Sequence, residues 1–175
     1  MKKSSCLIFL LFFLFSCANN EKNEGSGKSI TKRLKKEVLN FATGYATDKF
    51  KDPKRKVNSD GIITINENQL SYVIDPAKIS VGLIDDDSKE DVILSIDYYN
   101  GQNLVLTEHL ILINTDGKYM LNRVIESDMK ILGINNRIIT AEIYTRSRNS
   151  PLINCSACKE IVKYQFKRGE LIRME

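Results

Sequence analysis

The hydrophobic period of the chain changes once, near Pro53, and that change limits the fold more than any other feature. Before it, SITKRLKKEVLNFATGYATDKFKD places Ile30, Leu34, Val38, Phe41 and Tyr45 three or four residues apart with lysines between them. This is the spacing of one amphipathic helix with a single apolar stripe. Ser29 is placed to cap its start, and Asp52-Pro53 to end it, because proline disfavours helical geometry in the residue before it. The lysine-rich side reads as a solvated outer face rather than a lipid contact, with the stripe packed on a sheet. After Pro53 the period is two. GIITINENQLSYVID reads as a hairpin around Asn66-Glu67-Asn68, and Ile79, Val81 and Leu83 alternate in the next run. VILSIDYY, NLVLTEHLILIN, KYMLNRVIES, RIITAEIYTR and KEIVKYQFKR are further segments rich in β-branched and aromatic residues. Asn100-Gly101, Asp116-Gly117, Asn135-Asn136 and Arg168-Gly169 separate them, and Asp116-Gly117 suits a type I′ hairpin. Short connections imply antiparallel neighbours. The expected fold is therefore α+β: one N-terminal amphipathic helix packed on an antiparallel meander sheet of about seven to nine strands.

The first residues fit neither pattern. Lys2 and Lys3 precede an apolar run from Cys6 to Phe15, ten residues long and well short of the roughly 20 that span a bilayer as a helix. Such a run reads as the core of a signal peptide. It ends in Leu14-Phe15-Ser16-Cys17, which resembles the lipobox of bacterial lipoproteins. The resemblance implies cleavage after Ser16, acylation of Cys17, and membrane attachment through that residue. Ala18 at the next position implies outer-membrane delivery in a cell with two membranes. Residues 18–28, ANNEKNEGSGK, lack large apolar side chains and read as a flexible tether. The organisation expected is a signal peptide over residues 1–16, a lipidated cysteine and tether over 17–28, and one globular domain over 29–175.

Removing residues 1–16 leaves 159 residues, enough for one real core. Charge is then 24 basic against 22 acidic side chains, a balance that supplies no argument for nucleic acid or a strongly anionic partner. Only Cys155 and Cys158 remain as thiols of the domain, in an exported and oxidising setting.

The acidic stretch VGLIDDDSKEDVILSI carries Asp85, Asp87 and Asp91 at the alternating spacing with which a calcium loop gathers oxygen ligands. It resembles the G-D-L-N-G-D-G-x-x-D run of calcium-loop repeats of the VCBS and FG-GAP kind, and of small bacterial exported proteins with one such segment. The resemblance covers about residues 79–173. It implies that Asp85, Asp87 and Asp91 fill the third, fifth and ninth loop positions of a calcium site. Leu83 stands where the first ligand aspartate would be, and Ser88 where glycine would permit the sharp turn.

Cys155 and Cys158 form a C-x-x-C pair. Redox enzymes place a helix N-terminus after this motif. Here a strand-like run follows, so the pair reads as a structural disulfide or two unpaired loop thiols before a thiol-disulfide catalyst. Lys159 stands where haem attachment would place histidine, and His109 is the only imidazole, too few ligands for a zinc site. His109 lies in a strand pattern, with no recognisable nucleophile setting beside it. The matches Ser29-x-x-Lys32 and Ser127-x-x-Lys130 lack the companion motifs of penicillin-recognising enzymes. The basic loop Arg146 to Leu152 reads as solvated. The functional expectation is an envelope lipoprotein acting as a non-catalytic binding or accessory module, including inhibitor or immunity roles, toward an envelope protein or glycan. It needs no cofactor, with calcium the exception to test. The alternatives are an envelope thiol-disulfide enzyme or a calcium-dependent binding module.

Overall fold

A computed structural model of the chain describes residues 30–145 and 158–175. Helix α1 (Lys32–Thr47) is followed by β1 (Lys54–Val57), β2 (Ile63–Glu67), β3 (Leu70–Gly82), β4 (Asp91–Asn100), β5 (Asn103–Thr115) and β6 (Lys118–Glu126). Then come β7 (Lys130–Asn135), β8 (Ile138–Tyr144), β9 (Lys159–Lys167) and β10 (Glu170–Arg173). The α+β reading holds in its broad form, one helix with antiparallel strands. The single meander does not. The described residues form ten strands in two sheets, β1-β2-β3-β4-β5-β6 and β10-β9-β8-β7.

The division has a visible cause. Along β4 and β5, Val92, Leu94, Ile96, Leu110 and Leu112 face the helix, while Ile93 and Ile111 point the other way and are equally buried. A sheet with two apolar faces needs a layer on each. The chain therefore leaves the first sheet after Glu126, and β7 and β8 bring Ile134 and Ile139 over Ile84, Ile93 and Ile111. Met129, buried with Ala141 and Val162, fills the crossing. Gly82 sits where the two layers approach closely, since a Cβ there would lie 2.7 Å from Ile134 Cβ.

Helix α1 covers the other face. Val38, Ala42 and Ala46 are fully buried, and the two alanines let the helix seat closely on Ile65, Ile74 and Leu94. Its start is capped by Thr31, whose Oγ1 accepts from the Leu34 N–H at 3.2 Å; Ser29, the expected cap, lies outside the described residues. Its end is at Thr47, earlier than the expected stop at Asp52-Pro53. Thr43 and Thr47 hydroxyls donate to Leu39 and Thr43 carbonyls at 2.7 Å, competing with the helix ladder. The last turn tightens through Phe50 N–H to Thr47 O (3.1 Å), and the Phe50 ring lies 5.8 Å from that of Tyr72.

Three strand readings change as well. The hairpin turn is Asn68-Gln69 rather than Asn66-Glu67-Asn68, because β2 pairs through Glu67 and Asn68 takes the positive φ. β3 runs through Asp75-Pro76-Ala77-Lys78 as one strand, its register skipping between Ile74 and Ile79; proline is tolerated at such a bulge because the ladder is interrupted there. β1, KRKV, is fully exposed, a short charged edge of the kind that discourages pairing with other chains. Asp116-Gly117 and Arg168-Gly169 both have two positive φ values, as a type I′ hairpin requires.

Candidate functional site

The loop between β3 and β4 holds the three aspartates, and one oxygen from each of Asp85, Asp87 and Asp91 lies within 4.8 Å of the others. Their roles differ. Asp91 is fully buried at the start of β4. Its Oδ2 accepts from Ile84 N–H (2.9 Å) and Asp85 N–H (3.4 Å), and its Oδ1 accepts from Asn114 N–H on β5 (2.9 Å). Asp85 Oδ1 accepts from Asp87 N–H (2.9 Å) and Asp87 Oδ1 from Lys89 N–H (2.7 Å), two successive aspartate turns. Burial pushes the Asp91 carboxyl above its ordinary range against those backbone donors, and the charge of Asp85 adds to the rise. The loop thus gets its shape from backbone N–H groups. A calcium ion needs six to eight oxygens, and it would have to share Asp91 with three hydrogen bonds. Asp85 and Asp87 are better placed to give an oxygen, so the donor chemistry fits a hard cation, with fewer protein ligands than a full loop.

A cleft of about 670 Å³ opens beside this loop. Asp85 and Asp86 form one wall, Asn122 of β6 the second, and Arg137, Phe166 and Lys167 of the second sheet the third. Arg137 lies in the β7–β8 turn at φ 64°, with Nη1 3.2 Å from Asp86 Oδ1 and Nη2 donating to the Asp86 carbonyl at 3.0 Å. It clamps the acidic loop to the second sheet. Asn122 is the extra residue of a bulge, since pairing skips from Ile111/Arg123 to Leu112/Leu121. Bulges re-aim a side chain in this way beside sites. Sequence reasoning missed Asn122, Arg137 and Lys167 because they come together only when the two sheets stack.

His109 lies deep in β5, 1% exposed. Its Nδ1 is 2.8 Å from Ser95 Oγ on the paired strand, and its Nε2 is 3.1 Å from Ser127 Oγ in the β6–β7 link. Burial lowers its pKa to about 4, so the ring is neutral at pH 7. It acts as a bracket holding the crossing chain to the first sheet. Farther along the same face, Asp97 takes Thr107 Oγ1 at 2.9 Å and pairs with Lys78 from the β3 bulge.

On the helix side, Glu108 is 4% exposed and accepts from Tyr72 OH at 3.2 Å; its Oε2 is buried with no hydrogen-bond partner among the described residues. Burial first, then the nearby Glu108 charge, raises the Tyr72 phenol.

Cys158 is disulfide-bonded and 8% exposed, and its carbonyl accepts from Thr145 N–H at 2.8 Å. Strand β9 starts at the next residue, so no helix follows the cysteine pair. Cys17, Cys155 and the basic loop 146–152 lie outside the described residues. No helix among the described residues is long and apolar enough to cross a membrane. No protein-family model, curated protein or solved structure matches this chain.

Proposed function

We propose that the chain is a lipid-anchored module of the cell envelope that works by binding an envelope protein or glycan in the cleft between its two sheets. The observation that carries this is the cleft itself. Its volume lies within the range of ligand sites, and charged and amide side chains from the β3–β4 loop, β6, the β7–β8 turn and β9 converge on it. Arg137 is positioned at its edge by the exposed contacts with the Asp86 carboxylate and carbonyl. Attachment through acylated Cys17, in the outer membrane where the cell has two, keeps the module at the envelope. Cys155 is the partner we assign to Cys158, in a structural disulfide across the C-x-x-C pair. A reduction potential below about −300 mV would agree with that assignment, and one near that of thioredoxin would favour a thiol-disulfide catalyst.

The test is affinity capture from envelope extract and culture fluid with the acylated chain, beside a variant carrying Arg137→Glu and Lys167→Glu. One stoichiometric partner retained by the parent and lost by the variant supports the cleft as the seat. Equal recovery by both removes the cleft from the account.

Calcium is a second reading, favoured by the three mutually close carboxylates. Replacing chelator with millimolar calcium should then raise the melting temperature through selective binding to the folded state. An unchanged value opposes it.

A further inference from the structure

The helix begins at Lys32, and this places Lys32, Arg33, Lys35 and Lys36 in its first five positions. The first turn contains no acidic residue and the last turn no basic one. The cations in the first turn run against the helix macrodipole, whose positive end favours carboxylates and disfavours cations. Fold stability therefore gives no reason for this cluster. Lys32, Arg33 and Lys36 are exposed on the side of α1 opposite Val38 and Ala42. None of the four pairs with a carboxylate among the described residues, and Glu37 is the single acid within the helix.

The cluster also lies where the chain enters the domain. Twelve residues separate Cys17 from Ile30, a span of at most about 45 Å when fully extended and nearer 20 Å as a random coil. A chain fastened at Cys17 thus holds the start of α1 within a short distance of the bilayer. Anionic headgroups attract lysine and arginine near the surface, and the attraction fades within a Debye length.

We infer that the outward face of α1 around Lys32, Arg33 and Lys36 is a docking surface for an anionic bilayer, which orients the domain on the membrane that holds it. This rests on the lipid anchor proposed above. Docking is reversible, because a single cluster of this size adds a modest attraction to that of the acyl chains.

The test uses the acylated chain reconstituted in vesicles of phosphatidylcholine alone or with about a third phosphatidylglycerol. Lysine amines are labelled with a water-soluble acylating reagent and read by peptide mass spectrometry. With phosphatidylglycerol, labelling of Lys32 and Lys36 should fall at least about threefold, in line with the attraction per basic residue near such a surface. Labelling of Lys130 and Lys167, on the second sheet, should hold steady. The protection should vanish in 0.5 M salt, and in a variant carrying Arg33→Glu and Lys35→Glu. That variant places carboxylates where the helix dipole favours them, so its melting temperature should not fall. Equal labelling of Lys32 and Lys36 in both vesicle types overturns the proposal. Flotation with neutral vesicles in 1 M salt reports the anchor separately: a chain that does not float there has lost the anchor reading, while salt-sensitive protection on anionic vesicles would still support the docking face.

Discussion

His109 shows how a residue that invites a catalytic reading becomes a measure of folding. The unfolded chain takes up a proton on this ring near pH 6.5, whereas burial holds the folded ring neutral down to about pH 4. Stability should therefore fall as pH drops through that window, by about 3 kcal/mol in all, and level off below it. Urea melts at several pH values should show this slope in the parent and a flatter one in His109→Gln. The histidine itself was legible in the sequence, but its serine partners were not, because pairing Ser95 with His109 requires the strand register. Asp91 makes the complementary case. Its acidic neighbours and loop position were legible, and its spacing suggested a metal ligand. Its oxygens instead accept three backbone N–H groups, two from its own loop and one from β5. Asp91→Asn turns one side of that acceptor into a donor and strands at least one buried N–H, which should cost roughly 1–3 kcal/mol in a denaturant melt. A variant of unchanged stability would return Asp91 to the role of a spare ligand.

At the scale of elements, two glycines separate packing from propensity. A Cβ on Gly82 would meet Ile134 at 2.7 Å and the Ile134 carbonyl oxygen at 2.9 Å, and backbone cannot step aside as a flexible side chain can. Gly82→Ala should push β3 from β7 and cost about 1–3 kcal/mol, the range of overpacked cores. Gly44 lies within α1 with nothing inside 4 Å of its virtual Cβ, so Gly44→Ala should stabilise by up to about 1 kcal/mol. Thermal melts of the two variants should move in opposite directions. The helix and most strands were legible because their apolar periods differ so clearly. Element ends were less so: Thr31 caps the observed helix, and the helix ends at Thr47, before Pro53 can end it. β1 escaped because KRKV has no apolar alternation, and β3 was split at Pro76 because a bulge that admits proline leaves no signal of its own.

On the scale of the whole molecule, the chain is two consecutive antiparallel meanders with a helix closing the outer face of the first. Alternation along a strand tells which residues share a face, but not whether the second face is covered by solvent or by another sheet. The near-continuous burial of Asp91–Asp97 in β4 decides for a second layer, and VILSIDYY carried that hint in its unbroken apolar start. The cleft could not be read from sequence, since its walls belong to segments far apart in the chain that meet only in the stacked sheets. We propose that it serves as a ligand seat. A photoreactive phenylalanine placed at Asn122, at the bulge lining the cleft, tests it most directly in cells, with the same probe at the exposed Ile161 of the second sheet as control. One adduct of defined mass is expected from position 122, absent from position 161 and lost on adding Arg137→Glu. No adduct from position 122, or the same products from both positions, would contradict it.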